Sequence, residues 1–351
     1  MPLVAHNALP TFGRLREDGM VVHTPARAAS QEIRELHVGL LNMMPDAALE
    51  ATERQFFRLV GESNPIAQFY VHPFTLPALP RGEAARAHIG QFYESFDSLR
   101  AAGLDALIIT GANVTHANLA DEPFWQPLIE VIDWAWENVT STLCSCLATH
   151  AVMQFRHQQT RVKQADKIWG VFPHRVVAKT HPLVKDVNTR FDVPHSRWND
   201  VSRAQFEQAG VRVLVESEAA GVHLAVSHDG LRTVFFQGHP EYDTVSLLKE
   251  YKRDLQLAAQ GKLPEWPPFP QGYFNGQAQA LLEEYAHRTQ AGEPLAFPES
   301  LLLSQLDNTW HDTAEAVIGN WVGCVYQVTH GERHLPFMPG IDPDNPLGLS
   351  F

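Results

Sequence analysis

Apolar residues fall in short blocks along the first half of the chain, separated by longer stretches of helical spacing. Leu36-His-Val-Gly-Leu-Leu41, Ala67-Gln-Phe-Tyr-Val71, Asp105-Ala-Leu-Ile-Ile-Thr110 and Thr140 to Cys144 are runs of four to six residues, the length and composition of buried strands. Between them, Asp46 to Val60 carries Leu49, Phe56 and Leu59 on one helical face, and Pro123 to Val139 forms a helix started by Asp121 and Glu122. Strands alternating with helices predict the α/β class: a mostly parallel sheet with helices on both faces. Met1 to about Ile33 contains Pro2, Pro10, Gly13, Gly19 and Pro25 and predicts an irregular segment on the surface.

The second half is richer in alternating patterns. Trp169 to Lys179, Val211 to Val215, Val222 to Val226 and Arg232 to Phe236 read as strands, and Tyr242 to Leu257 as a helix. Pro264 to Pro270 is a stiff proline-rich connector, followed by helical stretches near Gln277 to Ala291 and Ser304 to Thr329. Pro336, Pro339, Pro343 and Pro346 then predict an extended arm. The resulting division is an N-terminal segment over 1–34, a main domain over 35–330 and the arm over 331–351.

Composition narrows the partners. With 351 residues and 44% hydrophobic content, the chain can bury one large core. A formal charge of −13 argues against nucleic acid or an anionic membrane as partner, and leaves small anionic ligands open. No apolar run nears the ~20 residues of a membrane span. The N-terminus shows Arg14 and Arg16 among acidic residues with no secretory leader pattern, so a cytoplasmic protein is expected. Three cysteines make no disulfide framework, and Cys144-x-Cys146 lacks a second ligand cluster, so no metal is expected.

The candidate chemistry lies in two segments. Cys146 follows the strand ending at Cys144 and opens an apolar helical run, Leu147 to Phe155. A cysteine at a strand-to-helix elbow projects its thiol over a helix N-terminus, where thiolate is favoured and backbone N–H groups can bind an oxyanion. Cys144 is the competing nucleophile, but it falls within the strand run, where its side chain belongs to the core. In Gln237-Gly-His-Pro-Glu-Tyr-Asp243, His239 and Glu241 point the same way along an extended segment, so the carboxylate can orient the imidazole. Nucleophile, base and orienter are all present, in the order used by class I glutamine amidotransferase-like folds.

From about Leu36 to Thr329 the chain resembles the homoserine O-acyltransferases of methionine biosynthesis, the succinyltransferase-type branch with the amidotransferase-like fold. The matching motifs are Leu41-Asn-Met-Met-Pro45, Thr110-Gly-Ala112, Lys167-Ile-Trp-Gly-Val171, Val193-Pro-His-Ser-Arg197, Gly238-His-Pro-Glu-Tyr-Asp243 and Glu250-Tyr-Lys-Arg-Asp254. The resemblance implies a Cys146, His239, Glu241 triad, substrate contacts at Lys167, Ser196 and Arg253, and a homodimer. It also implies succinyl-CoA as co-substrate, L-homoserine as acceptor and no permanently bound cofactor. Arg253 suits a substrate carboxylate, or else pairs on the surface with Asp254 or Glu250.

The chain departs from the family pattern at three places. Asp46 and Ala47 replace basic residues, and Leu147 and Ala148 replace tryptophan and glycine after the nucleophile. Thr115 occupies the position linked to acyl choice, where glutamate goes with acetyl and glycine with succinyl transfer; it is uncharged and offers the acyl group a hydroxyl donor, so it lacks the repulsion a glutamate would supply against succinate. The expected reaction is ping-pong succinyl transfer through a Cys146 acyl-enzyme, with the oxyanion on the Leu147 N–H. Acetyl transfer and a glutamine amidotransferase-type hydrolase are the alternatives.

Overall fold

The computed structural model describes residues 3–64, 66–293 and 295–350; Met1 and Pro2 of the N-terminal segment and Phe351 of the arm lie outside the described residues. Its strands are β1 (Leu3–Val4), β2 (Val22–His23), β3 (Glu35–Leu41), β4 (Gln68–Phe74), β5 (Ala106–Ile109), β6 (Ser141–Ser145), β7 (Val162–Val176), β8 (Arg190–Asp200), β9 (Arg212–Ser217), β10 (Gly221–Val226) and β11 (Thr233–Phe236). They form one sheet in the order β2-β1-β4-β3-β5-β6-β11-β10-β9-β7-β8. From β2 to β11 every pairing is parallel, and beyond β11 every pairing is antiparallel.

The helices are α1 (Pro10–Glu17), α2 (Pro25–Ala29), α3 (Asp46–Glu62), α4 (Glu83–Phe92), α5 (Phe96–Ala102), α6 (Trp125–Asn138), α7 (Leu147–His157), α8 (Arg203–Gln208), α9 (Ser246–Ala259), α10 (Gly276–Gln290), α11 (Glu299–Leu303) and α12 (His311–Val328). The two-residue period of β5 divides the core between the sheet's faces. Ala106 and Ile108 pack with α3 and α12, whereas Leu107 and Ile109 pack with α6 and α7. A third cluster joins Trp169 of β7 to Leu247 and Tyr251 of α9, Phe274 and Leu282.

The N-terminal segment is not irregular. Leu3 pairs with Val22 and with Phe69, so β1 and β2 extend the parallel sheet, and α1 buries Phe12 and Leu15. Backbone pairing to an open sheet edge supplies the order that strands of two residues cannot show as a pattern. The helix expected from Ser304 to Thr329 begins only at His311, as α12, and the short α11 precedes Ser304. The helix after the His-x-Glu segment starts at Ser246 rather than Tyr242. Among its described residues the arm has no helix or strand, but it packs Phe337, Ile341 and Leu347 against the core, and Thr140 Oγ1 donates to Pro336 O at 2.5 Å.

The connector after the proline-rich stretch has a structural task. Gln271 N–H donates to Trp169 O at 2.9 Å and its carbonyl accepts from Val171 N–H at 2.8 Å. Between them Gly170 has φ 142°, and a Cβ there would lie 2.1 Å from Gln271 O. Only glycine permits this approach, which fixes the position of the strand bearing Lys167.

Candidate active site

Cys146 directly follows β6 and caps α7 with φ 51° and ψ −105°, a strained backbone for a non-glycine residue. Such strain costs on the order of 1–3 kcal/mol and persists only where the surroundings impose it. They do so here: Cys146 N–H donates to Phe236 O at 2.7 Å, and Thr149 Oγ1 bonds both Cys144 O and Phe236 O at 2.9 Å. Cys146 is half-buried, and Leu147 supplies the first N–H of α7. Gly111, at the end of β5, faces it; a Cβ there would stand 3.8 Å from Cys146 Cβ. Cys144 is fully buried in the sheet, and burial pushes its thiol far up.

His239 Nδ1 and Glu241 Oε1 are 2.8 Å apart, both residues buried. A carboxylate accepts, so Nδ1 carries a proton and Nε2 is the nitrogen left for the Cys146 sulfur. Burial acts against charge on this imidazole, but Glu241 and the Cys146 sulfur outweigh it and raise its pKa well above 6.5. The segment is anchored by the His239 N–H to Pro194 O bond of 2.8 Å and by Asp243, which pairs with Arg54 at 3.1 Å and with Arg58. A Cβ on Gly238 would lie 2.7 Å from Val193 and 2.8 Å from His195, so glycine alone lets β8 approach this close.

Behind the base lies a buried histidine chain that single-residue reading of the sequence did not assign. Arg197 Nη1 is 3.1 Å from His195 Nδ1, His195 Nε2 is 3.1 Å from His174 Nε2, and His174 Nδ1 is 2.8 Å from Phe172 O. A guanidinium only donates and a carbonyl only accepts. His195 therefore carries its proton on Nε2 and His174 on Nδ1, and both rings are neutral. Burial lowers His174 to about 4, and burial with the Arg197 charge holds His195 well below 6.5. The only early signal was Val193-Pro-His-Ser-Arg197 itself.

Lys167 and Ser196 converge on a residue that the sequence offered only as a surface partner for Arg253. Glu250 accepts from Ser196 Oγ at 2.6 Å, Tyr242 OH at 2.8 Å and Lys167 Nζ at 3.2 Å. Burial pushes this carboxyl up, but Lys167 and the two hydroxyls more than compensate and leave it lowered. Tyr242 stacks on His239 with ring centroids 4.4 Å apart, so this cluster adjoins the base. Arg253 is not brought in. Its side chain is 60% exposed and pairs with Asp254 at 2.8 Å, the surface alternative for this residue.

Thr115 also differs from expectation. Its N–H donates to Glu122 Oε1 at 2.6 Å and its hydroxyl to Glu122 Oε2 at 3.3 Å. The hydroxyl taken as a free donor toward the acyl group is already engaged by a buried carboxylate beneath the loop. Among the described residues, His6, His72 and Glu94 form a group able to hold a metal ion, and none of them belongs to the site above.

Residues 2–331 match the family model for homoserine O-succinyltransferase. The chain is 80% identical over 350 residues to a homoserine O-succinyltransferase from Thiobacillus denitrificans, covering all of both chains. It is 66% identical to one from Allochromatium vinosum, covering 99% of each. Among solved structures, a glutamine amidotransferase from Thermotoga maritima overlays at a TM-score of 0.46 with 12% identity, covering 83% of this chain and 98% of that one.

Proposed function

The chain belongs to the homoserine O-succinyltransferase family, and we propose that it transfers a succinyl group from succinyl-CoA to the γ-hydroxyl of L-homoserine through a Cys146 acyl-enzyme. The observation that carries this reading is the buried His239–Glu241 pair set against a strained cysteine elbow. In the first half-reaction the Cys146 thiolate attacks the thioester carbonyl. The oxyanion rests on the Leu147 N–H and an N–H of the Gly111 to Thr115 loop. The C–S bond to CoA then breaks, and CoA leaves as its thiol with the His239 proton.

In the second half-reaction His239 takes the proton of the homoserine hydroxyl as its oxygen attacks the acyl-enzyme. Collapse forms the ester and returns the Cys146 thiolate beside an imidazolium stabilised by Glu241. Exchange of one thioester for another changes little free energy, which suits a thiol nucleophile to this donor. Lys167 supplies positive charge for the homoserine carboxylate, with Glu250 holding Lys167 and Ser196 in place. Arg253, one helical turn from Glu250 on α9, is a further candidate for the same carboxylate.

The test is a donor comparison in the presence of homoserine, with the product identified by mass. O-succinylhomoserine from succinyl-CoA, at a kcat/KM well above that for acetyl-CoA, is the expected result. A wide preference for acetyl-CoA overturns the assigned donor. Glutamine hydrolysis without acyl transfer overturns the reaction class.

A further inference from the structure

We propose that the open cleft between the Thr115 loop and the β7–β8 hairpin binds the phosphorylated nucleotide end of the acyl-CoA donor. This inference rests on the acyl-CoA reading above and adds the place where the donor's anionic handle is held. The cleft, of about 520 Å³, is lined by Val114, Thr115, His116 and Ala117 on one side and by Arg161, Lys163, Trp198 and Asn199 on the other.

Its charge is opposite to that of the molecule. The chain carries a formal −13, yet the lining of this cleft gathers Arg161 and Lys163 with no acidic residue, the neighbouring Glu122 being buried beneath the Thr115 loop. A nucleotide with several phosphate charges meets repulsion over most of such a surface, so a local pair of cations decides where it settles. Trp198 adds a second, independent feature. It is a large hydrophobic side chain left 50% exposed, and Lys163 Nζ lies 6.0 Å from its ring centroid. An exposed indole beside a cation offers a purine a stacking face and its phosphates a charge, a combination that needs no base-specific hydrogen bonds.

The position fits the chemistry. Thr115 and the oxyanion-side Gly111 belong to one loop, and Gly111 faces Cys146. Arg161 donates to His116 O at 3.1 Å, which ties the β7 side of the cleft to the loop that runs from Gly111. Lys163 lies opposite Asn199 in the hairpin register, and Lys167 is four residues further along the same strand, within the bulge that separates Lys163 from Ile168. Four residues span at most about 13 Å, so the cationic mouth lies within reach of the acceptor pocket. A donor seated this way has its nucleotide in the cleft and its thioester at the elbow, while homoserine enters from the Lys167 side.

Lys163 and Trp198 are exposed, so their replacement spares the core. The experiment compares succinyl-CoA with S-succinylpantetheine, which lacks the nucleotide, for the wild type, Lys163→Glu and Trp198→Ala. The expected result is a fall of about tenfold or more in the ratio of the two kcat/KM values for Lys163→Glu, the effect of losing one charge-assisted contact, and a smaller fall for Trp198→Ala. An unaltered ratio in both variants overturns the assignment. Calorimetric binding of adenosine 3′,5′-bisphosphate separates this inference from the acyl-transfer reading. If the wild type binds it and Lys163→Glu does not, the cleft stands even where succinyl transfer is not observed; equal binding by both rules the cleft out.

Discussion

The two halves of the active site are prepared in different ways. The His239–Glu241 pair is closed off, with side chains 8% and 5% exposed, and its single short bond leaves one tautomer. The acceptor side, Lys167, Ser196, Glu250 and Arg253, is more open and satisfied by itself: Lys167 and Ser196 bond Glu250, and Arg253 bonds Asp254. The reacting groups are therefore in place before any ligand arrives. The binding groups must exchange internal pairs for substrate pairs. Such exchanges change affinity little but penalise ligands that fail to complete them, which favours discrimination over tightness. Lesions in the first half should act on turnover, and lesions in the second on homoserine dependence.

The largest effect is expected at the elbow. Cys146→Ala removes the acyl carrier and should lower kcat by about 10⁴ or more, whereas Cys144→Ala, in the core, should retain most activity. Comparable losses from both, measured by steady-state assay, would break the distinction between elbow and strand cysteine.

Next, His239→Ala should cost about 10³-fold or more in kcat and Glu241→Gln about 10²-fold, because the second variant keeps a base that is worse oriented. A fully active Glu241→Gln enzyme would remove the carboxylate from the mechanism.

The buried histidines behind the dyad sharpen the comparison through pH. His150 and His174 are held at about 3 and about 4 by burial, and burial with the Arg197 charge keeps His195 and His223 low too. An unfolded histidine takes a proton near 6.5, and the folded ones do not. Stability is therefore intact above about 6.5 and falls as pH drops toward the folded values, by up to about 1.4 kcal/mol per pH unit for each group. Denaturant midpoints should be clearly lower at pH 5 than at pH 7; identical midpoints would contradict neutral, buried rings. His239 has the opposite sign. Its raised pKa adds stability that is present below 6.5 and is lost as pH rises through the folded value.

The smallest effect is expected on the acceptor side. Arg253→Lys should raise the homoserine KM by about tenfold or less, since a lysine cannot reproduce a bidentate contact, and should spare acyl-enzyme formation. An unchanged KM would confine Arg253 to its surface pair with Asp254.

How much was legible follows the same division. The β6 elbow could be read because an apolar strand run meets a helical run at Cys146, and the His239-x-Glu241 alternation puts both groups on one side of an extended chain. The α/β class followed from apolar blocks alternating with helical spacing. Strands β1 and β2 could not be read, because two residues are too few to show a period and their order comes from pairing along the edge of β4. Helices α4 and α5 fell in a polar stretch where burial is slight, with Ala85 and Leu99 as their only buried residues. Glu250 was read only as a surface partner for Arg253 and the Thr115 hydroxyl was taken as free because ion pairs and hydrogen bonds choose partners across the fold. Glu250 lies 83 residues from Lys167 and 54 from Ser196.

The central claim is that Cys146 carries the acyl group. Intact-protein mass spectrometry after exposure to succinyl-CoA without homoserine, followed by peptide mapping, tests it most directly. The account predicts one succinyl adduct, on Cys146, discharged by homoserine and absent from Cys146→Ala. A discharging adduct on Cys144, or turnover with no acyl-enzyme at all, would contradict it.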